Sequence, residues 1–259
     1  MQDRRYLLSI EELLEDNISG ELREKCLRFL DENRLQRALS SKGKRKLAEN
    51  IGAGLLLQLA VREMLAQAVT ESGEVQKTVT ESGDARKAVT ECLSNVREGW
   101  LFFKFSLSEL LYTLEKYDNL PLPLEYTYSE KGKPFLKNYP YYFNLSHSGN
   151  YVFCVISEQE VGADIQWEKP GTEERIVRRF FTEEEKKTWE KCVSQEEKLH
   201  WFYMMWARKE AYGKLTGDGI SAVIGRPVNS GGTKAAEKKQ VCFEDYELED
   251  YRIAVCKWK

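Results

Sequence analysis

The stretch VGADIQW, residues 161–167, holds one acid, Asp164, and an amide, Gln166, two residues further on. Its small and branched apolar residues read as a short strand, in which alternate side chains share a face. Asp164 and Gln166 then point the same way about 6.6 Å apart, a spacing at which two carboxylates on one strand could hold a hard metal ion. Only one of the two is a carboxylate. The stretch reads either as a metal site with a substituted ligand or as a strand end that carries polar residues.

On its C-terminal side, Pro170 and Gly171 close the strand. EERIVRRFF (173–181) has helical spacing, Thr182 with Glu185 forms a capping box for a second helix, and a long amphipathic pattern covers about 195–215. VCFEDY and YRIAVCKWK return to strands. On its N-terminal side, LEYTYSEKGKPFL (124–136) reads as a hairpin turning at Lys131-Gly132, and YYFNLSHSG and YVFCVIS follow as strands. Further back stand a strand in RYLLSI, a helix in SGELREKCLRFL capped at Ser19, and a helix over about 45–65. Gly52 and Gly54 in that last helix cost helix propensity, which points to close packing.

Between these halves AVTESGEVQK, TVTESGDARK and AVTECLSNVR form three successive decapeptide copies over 68–97. Solenoid units are longer, about 20–50 residues, so this polar segment is read as a surface insertion. The order of elements predicts an α+β protein with two subdomains, 1–157 including the insertion and 158–259.

The chain has 259 residues, of which 42% are apolar, so a sizeable core can form. The formal net charge of −3 gives no general attraction to nucleic acid or anionic membrane, so an anion site must be built locally. MQDRRYLLSI has too short an apolar run for a secretory signal, and no run reaches membrane-spanning length. The six cysteines contain no C-x-x-C pair, which predicts reduced thiols in a cytoplasmic protein.

Of the two histidines, His200 falls in the aromatic-rich EKLHWFYMMW and is read as structural. His147, in NLSHSG, is read as part of a strand-to-strand turn whose N–H groups and hydroxyls could bind phosphate. A turn of satisfied polar residues is equally consistent with that stretch alone. In WARKEAYGKLTGDG (206–219) Glu210 and Lys214 are spaced i,i+4, with Lys209 beside Glu210. That spacing is an ordinary helix salt bridge unless the helix packs, which Tyr203, Met205 and Trp206 indicate. Lys133, before Pro134, is held extended and could reach a phosphate, though a hairpin lysine is usually just solvated.

Taken in order, Gly132-Lys133-Pro134, N-L-S-H-S-G, G-A-D-I-Q and W-A-R-K-E-A-Y-G-K resemble the motifs of the Sfp-type 4′-phosphopantetheinyl transferases, approximately G-K-P, N-x-S-H-S-x, G-x-D-[IV]-E and W-x-x-K-E-[AS]-x-x-K. RFFT at 179–182 also fits, while the decapeptide insertion does not. The resemblance implies two pseudo-symmetric α/β subdomains joined near Glu158, with the active site in the cleft between them. It also implies transfer of the phosphopantetheine arm of coenzyme A to a serine of an apo acyl or peptidyl carrier protein, with Mg²⁺ and release of 3′,5′-ADP. By the same match Asp164 and Glu210 are metal carboxylates, Gln166 stands where the family usually has Glu, and Glu210 is the candidate base. Lys214 and His147 would hold the diphosphate, and Lys133 and Ser146 the 3′-phosphate region, with Lys42, Lys44 and Arg45 as further candidates. Members of this type usually work as monomers. The competing reading is a coenzyme A or carrier-binding protein that has lost turnover, with Gln166 as the scar.

Overall fold

The computed structural model describes residues 3–15, 20–72, 101–117, 121–171, 173–228 and 240–259. The cap expected at Ser19 and the repeats beyond Ser72 lie outside the described residues. The first elements are β1 (Arg4–Ser9), α1 (Glu11–Leu14), α2 (Gly20–Arg28), α3 (Glu32–Leu39), α4 (Lys44–Ser72), β2 (Leu101–Phe105) and α5 (Leu107–Tyr117). Five strands follow: β3 (Tyr126–Tyr128), β4 (Pro134–Leu136), β5 (Tyr142–Ser148), β6 (Tyr151–Ser157) and β7 (Val161–Trp167). Then come α6 (Glu173–Phe180), α7 (Glu183–Glu190), α8 (Gln195–Thr216), a 3₁₀ turn (Gly219–Val223), β8 (Val241–Leu248) and β9 (Tyr251–Trp258). The class is α+β, as the order of patterns predicts.

The chain divides into two compact units. The first is Met1–Tyr126, Leu136–Tyr141 and Asn150–Ile156. In it β1 pairs in parallel with β2 and antiparallel with β6. A parallel pair needs a long crossover, and α4 lies in the intervening chain. From Ile51 to Met64 every residue of α4 is buried, so it is a core helix rather than a half-solvated one. Close packing at its glycines is what the structure has: a Cβ on Gly54 would come within 2.5 Å of Leu30 Cδ2. The fully buried Gln58 amide is satisfied by the main chain of Leu122, accepting at 2.8 Å and donating at 3.0 Å.

The second unit is Thr127–Phe135, Tyr142–Gly149 and Ser157–Lys259. Its sheet runs β7-β9-β8, all antiparallel. The long helix α8 begins at an N-cap, Ser194, and ends at Gly217 in a left-handed conformation (φ 76°). It packs on β7 and β9, burying Phe202, Tyr203, Met205 and Ala211 with Val177 and Phe181. The capping box of α7 is present, Thr182 accepting from Glu185 N and Glu185 accepting from Thr182 N.

One glycine decides how near β7 comes to α8. A Cβ on Gly162 would stand 2.0 Å from Ala211 O and 2.5 Å from Leu215 N. No side chain fits there, and only this close approach lets a residue two places along β7 reach the polar face of α8.

Candidate active site

The residues singled out by the sequence, Lys133, Ser146, His147, Asp164, Gln166, Glu210 and Lys214, all fall in the second unit. Asp164 sits in the middle of β7 and is 3% exposed. A buried carboxylate needs compensating donors, and it has three. Its Oδ1 accepts from Ser146 Oγ at 2.6 Å and from Lys214 Nζ at 2.7 Å, and its Oδ2 accepts from Gln166 Nε2 at 2.6 Å. Asp164 and Gln166 do share a face of the strand, as the alternation predicts.

Glu210, half-buried on α8, completes the group. Burial pushes its carboxyl up to about 6, the nearby negative charge of Asp164 adds to the rise, and Lys214 draws it back. Among the described residues Glu210 makes no hydrogen bond and no ion pair. The i,i+4 bridge to Lys214 that the spacing allows is not formed, because Lys214 reaches across to Asp164 instead. Asp164 thus holds the Lys214 ammonium, while Glu210 lies close enough to feel both charges and, among the described residues, hydrogen-bonds to neither.

Lys209 belongs elsewhere. The sequence places it beside Glu210, as if both served one surface, but consecutive helix residues point in different directions. Its ammonium is fully buried against Glu185 at 2.9 Å, donates to Arg226 O at 2.8 Å and lies 5.0 Å over the Phe181 ring. Glu185 also accepts from Val228 N at 3.2 Å. This cluster ties α8 to the start of α7 and to the chain at 226–228.

His147 is exposed, at the penultimate position of β5 and not in the turn that the sequence suggests. The polar run N-L-S-H-S is strand because its alternate members face β7. Asn144 Oδ1 accepts from Ala163 N at 3.1 Å, Ser146 Oγ from Ile165 N at 3.4 Å and Ser148 Oγ from Trp167 N at 2.9 Å. These side chains satisfy N–H groups on the side of β7 away from β9. Asn144 and Ser148 were not legible as parts of the site, although the every-second-residue spacing of short polar side chains is the signal for them.

Lys133 donates to Leu215 O at 2.7 Å, a carbonyl at the C-terminal end of α8 that has no helical partner of its own. Burial lowers its pKa. Lys42, just before α4, and Lys44 and Arg45 in its first turn are exposed in the first unit. Glu168 is held by Arg252 at 2.8 Å, and His200 accepts from Arg252 Nε at 2.9 Å, so both are structural.

Among the described residues no group of three or more His, Cys, Asp or Glu could hold a metal ion. The donors present are Asp164, Glu210 and the Gln166 amide. That set fits Mg²⁺, which takes one or two carboxylates and completes its shell with water and phosphate oxygens. It lacks the histidine and cysteine ligands that zinc sites are usually built on.

Residues 160–256 match the model of the 4′-phosphopantetheinyl transferase superfamily. The chain is 32% identical over 158 residues to the 4′-phosphopantetheinyl transferase Sfp of Bacillus subtilis strain 168, covering 56% of this chain and 66% of that one. It is 37% identical over 121 residues to the 4′-phosphopantetheinyl transferase psf-1 of Bacillus pumilus, covering 44% of this chain and 50% of that one. The chain thus spans less than two thirds of these relatives. With the 4′-phosphopantetheinyl transferase AcpT of Escherichia coli K12 it shares 30% identity over 163 residues, which cover 62% of this chain and 75% of that relative. On that coverage, and with its motifs gathered in one unit around Asp164, the chain belongs to the 4′-phosphopantetheinyl transferase superfamily.

Proposed function

We propose that this chain transfers the 4′-phosphopantetheine arm of coenzyme A to a serine hydroxyl of an apo acyl or peptidyl carrier protein and releases 3′,5′-ADP. The observation that carries the reading is Asp164 bonded to the Lys214 ammonium, with the Glu210 carboxyl shifted by the charges of both. That is the equipment a hydroxyl attack on a charged diphosphate needs: a cation site, an ammonium and a base. The names of the relatives support the same reading.

Asp164 and Glu210 would hold Mg²⁺, with the Gln166 amide beside Asp164, and the ion when bound supplies positive charge against the diphosphate. Lys214, one of its N–H groups now on Asp164, turns its ammonium to the phosphate oxygens. His147, on the exposed end of β5, donates to the same group. Lys133 offers its remaining N–H donors to the 3′-phosphate region. The Glu210 carboxylate, directly or through water, takes the proton of the carrier serine as its oxygen bonds to phosphorus. The bond from phosphorus to the ADP oxygen breaks, and ADP leaves with the electron pair. The chain works as a cytoplasmic monomer on protein clients, without nucleic acid or membrane.

The test is chromatography of 3′,5′-ADP formed from coenzyme A. We expect formation only when an apo carrier and Mg²⁺ are both present, and loss of it in Glu210→Gln. Formation of 3′,5′-ADP without a carrier would point to hydrolysis and against this reading. Tight coenzyme A binding with no product would favour the protein that has lost turnover.

A further inference from the structure

We propose that Lys214 competes with Mg²⁺ for Asp164, and that its ammonium leaves this carboxylate for the diphosphate when the ion binds. The proposal deepens the reading of Asp164 and Glu210 as a Mg²⁺ site and rests on it. A carboxylate has about four lone-pair positions. In Asp164 three hydrogen bonds already use them: Oδ1 accepts from Ser146 Oγ at 2.6 Å and from Lys214 Nζ at 2.7 Å, and Oδ2 accepts from Gln166 Nε2 at 2.6 Å. Two of these donors are neutral and stand on strands, Ser146 on β5 and Gln166 on β7. Lys214 is the donor that brings a positive charge, and an ion held by Asp164 would share one buried carboxylate with it. Like charges at such a distance repel strongly where burial keeps water away, so one of the two has to give way.

Lys214 is the group with room to move. Its side chain is 28% exposed against 4% for Asp164, and its charge rides on a flexible stem. Glu210, one turn back on the same helix, serves the ion on this reading, so the released ammonium turns to the phosphate oxygens instead. Without coenzyme A, Lys214 therefore holds the metal off. With it, each ligand favours the other, because the ion displaces the ammonium that the diphosphate takes up. A lysine that only tied α8 to β7 would stay on Asp164 throughout.

The experiment titrates Mn²⁺, followed by electron paramagnetic resonance, into the whole chain without coenzyme A or carrier protein. Wild type sets the scale, and Asp164→Asn shows that the site is the one titrated. We expect Lys214→Met to bind Mn²⁺ about 10-fold more tightly than wild type. If Lys214→Met does not fold, Lys214→Gln, also uncharged, gives the same comparison. Removing a nearby charge would tighten the ion even if the ammonium never moved, so a second measurement follows the ammonium itself. Nuclear magnetic resonance of isotope-labelled lysine ammonium groups identifies the Lys214 signal by its loss in the variant. On addition of Mg²⁺ to wild type, that signal should move to the position of solvated lysines, as it should in Asp164→Asn without the ion. Unchanged or weakened Mn²⁺ affinity in the Lys214 variant overturns the proposal, and so does an ammonium signal that Mg²⁺ leaves in place. A wild type whose Mn²⁺ binding is absent, or survives Asp164→Asn, overturns the metal-site reading and this proposal with it.

Discussion

Asp164 Oδ1 and Lys214 Nζ lie 2.7 Å apart although fifty positions separate them in the chain. The contact joins the middle of β7 to the last turn of α8 and sets the charge of the site, two carboxylates against one ammonium. Replacing Lys214 by Met removes the one positive group beside both acids. We expect kcat/KM for coenzyme A to fall about 100-fold or more, and the acid limb of the pH profile to move to higher pH, because Lys214 is what draws the Glu210 carboxyl down. Steady-state rates from pH 5 to 8.5 check both.

The Glu210 carboxyl, raised by burial and by Asp164 to about 6, has a consequence for stability. A folded pKa above the unfolded one favours folding at low pH, and that contribution is lost as pH rises through the folded value. Between an ordinary carboxyl near 4.5 and one near 6 the loss is about 2 kcal/mol at most. In EDTA, Glu210→Gln is therefore expected to raise Tm at pH 7.5 and to change it little at pH 4.5. Mg²⁺ should stabilise wild type more at pH 7.5 than at pH 5.5, since the proton and the ion compete for the same carboxylate. Differential scanning calorimetry decides it, and a Tm at pH 7.5 lowered by Glu210→Gln would contradict it.

Gln166 donates to Asp164 Oδ2. An amide there removes the repulsion that a second strand carboxylate would bring and leaves Asp164 satisfied without an ion, so on the proposed reading Mg²⁺ is held more weakly. Gln166→Glu is expected to lower the Mg²⁺ concentration for half activity and to make the chain less stable in EDTA. An unchanged half-activation concentration would count against any role for this position toward the metal.

Lys209 provides the contrast on the same helix. Its ammonium and Glu185 are 0% and 2% exposed and 2.9 Å apart, so removing one partner leaves the other buried and uncompensated. Lys209→Met is expected to cost about 3–5 kcal/mol in urea unfolding. Any folded fraction should keep near-normal kcat, which a group acting on substrate would not allow.

Much of the fold was readable because local signals agreed with tertiary ones. The capping box at Thr182 and the strand at 161–167 follow from neighbouring residues; α8 forms where a helix is predicted, but it buries residues around most of its circumference rather than along one amphipathic face. What was missed depends on distant partners. LFFKF (101–105) becomes β2 by pairing in parallel with β1, far back in the chain. Glu32–Leu39 is the exception: it is a strongly amphipathic helix capped by Asp31, whose side chain accepts from Arg34 N, and both signals are local. In the site, spacing placed Asp164 and Gln166 on one face and Glu210 and Lys214 on one turn of helix. It could not say that Lys214 reaches Asp164, which depends on how closely Gly162 lets β7 approach α8, or that Lys209 turns inward to Glu185 and Arg226 O, which lie far along the chain.

The central claim is the transfer itself. Intact-protein mass spectrometry of an apo acyl carrier protein, incubated with this chain, coenzyme A and Mg²⁺, tests it most directly. We predict a mass gain of one phosphopantetheine on the carrier, abolished by EDTA and by Glu210→Gln. No gain with either an acyl or a peptidyl carrier, while coenzyme A still binds, would contradict the account.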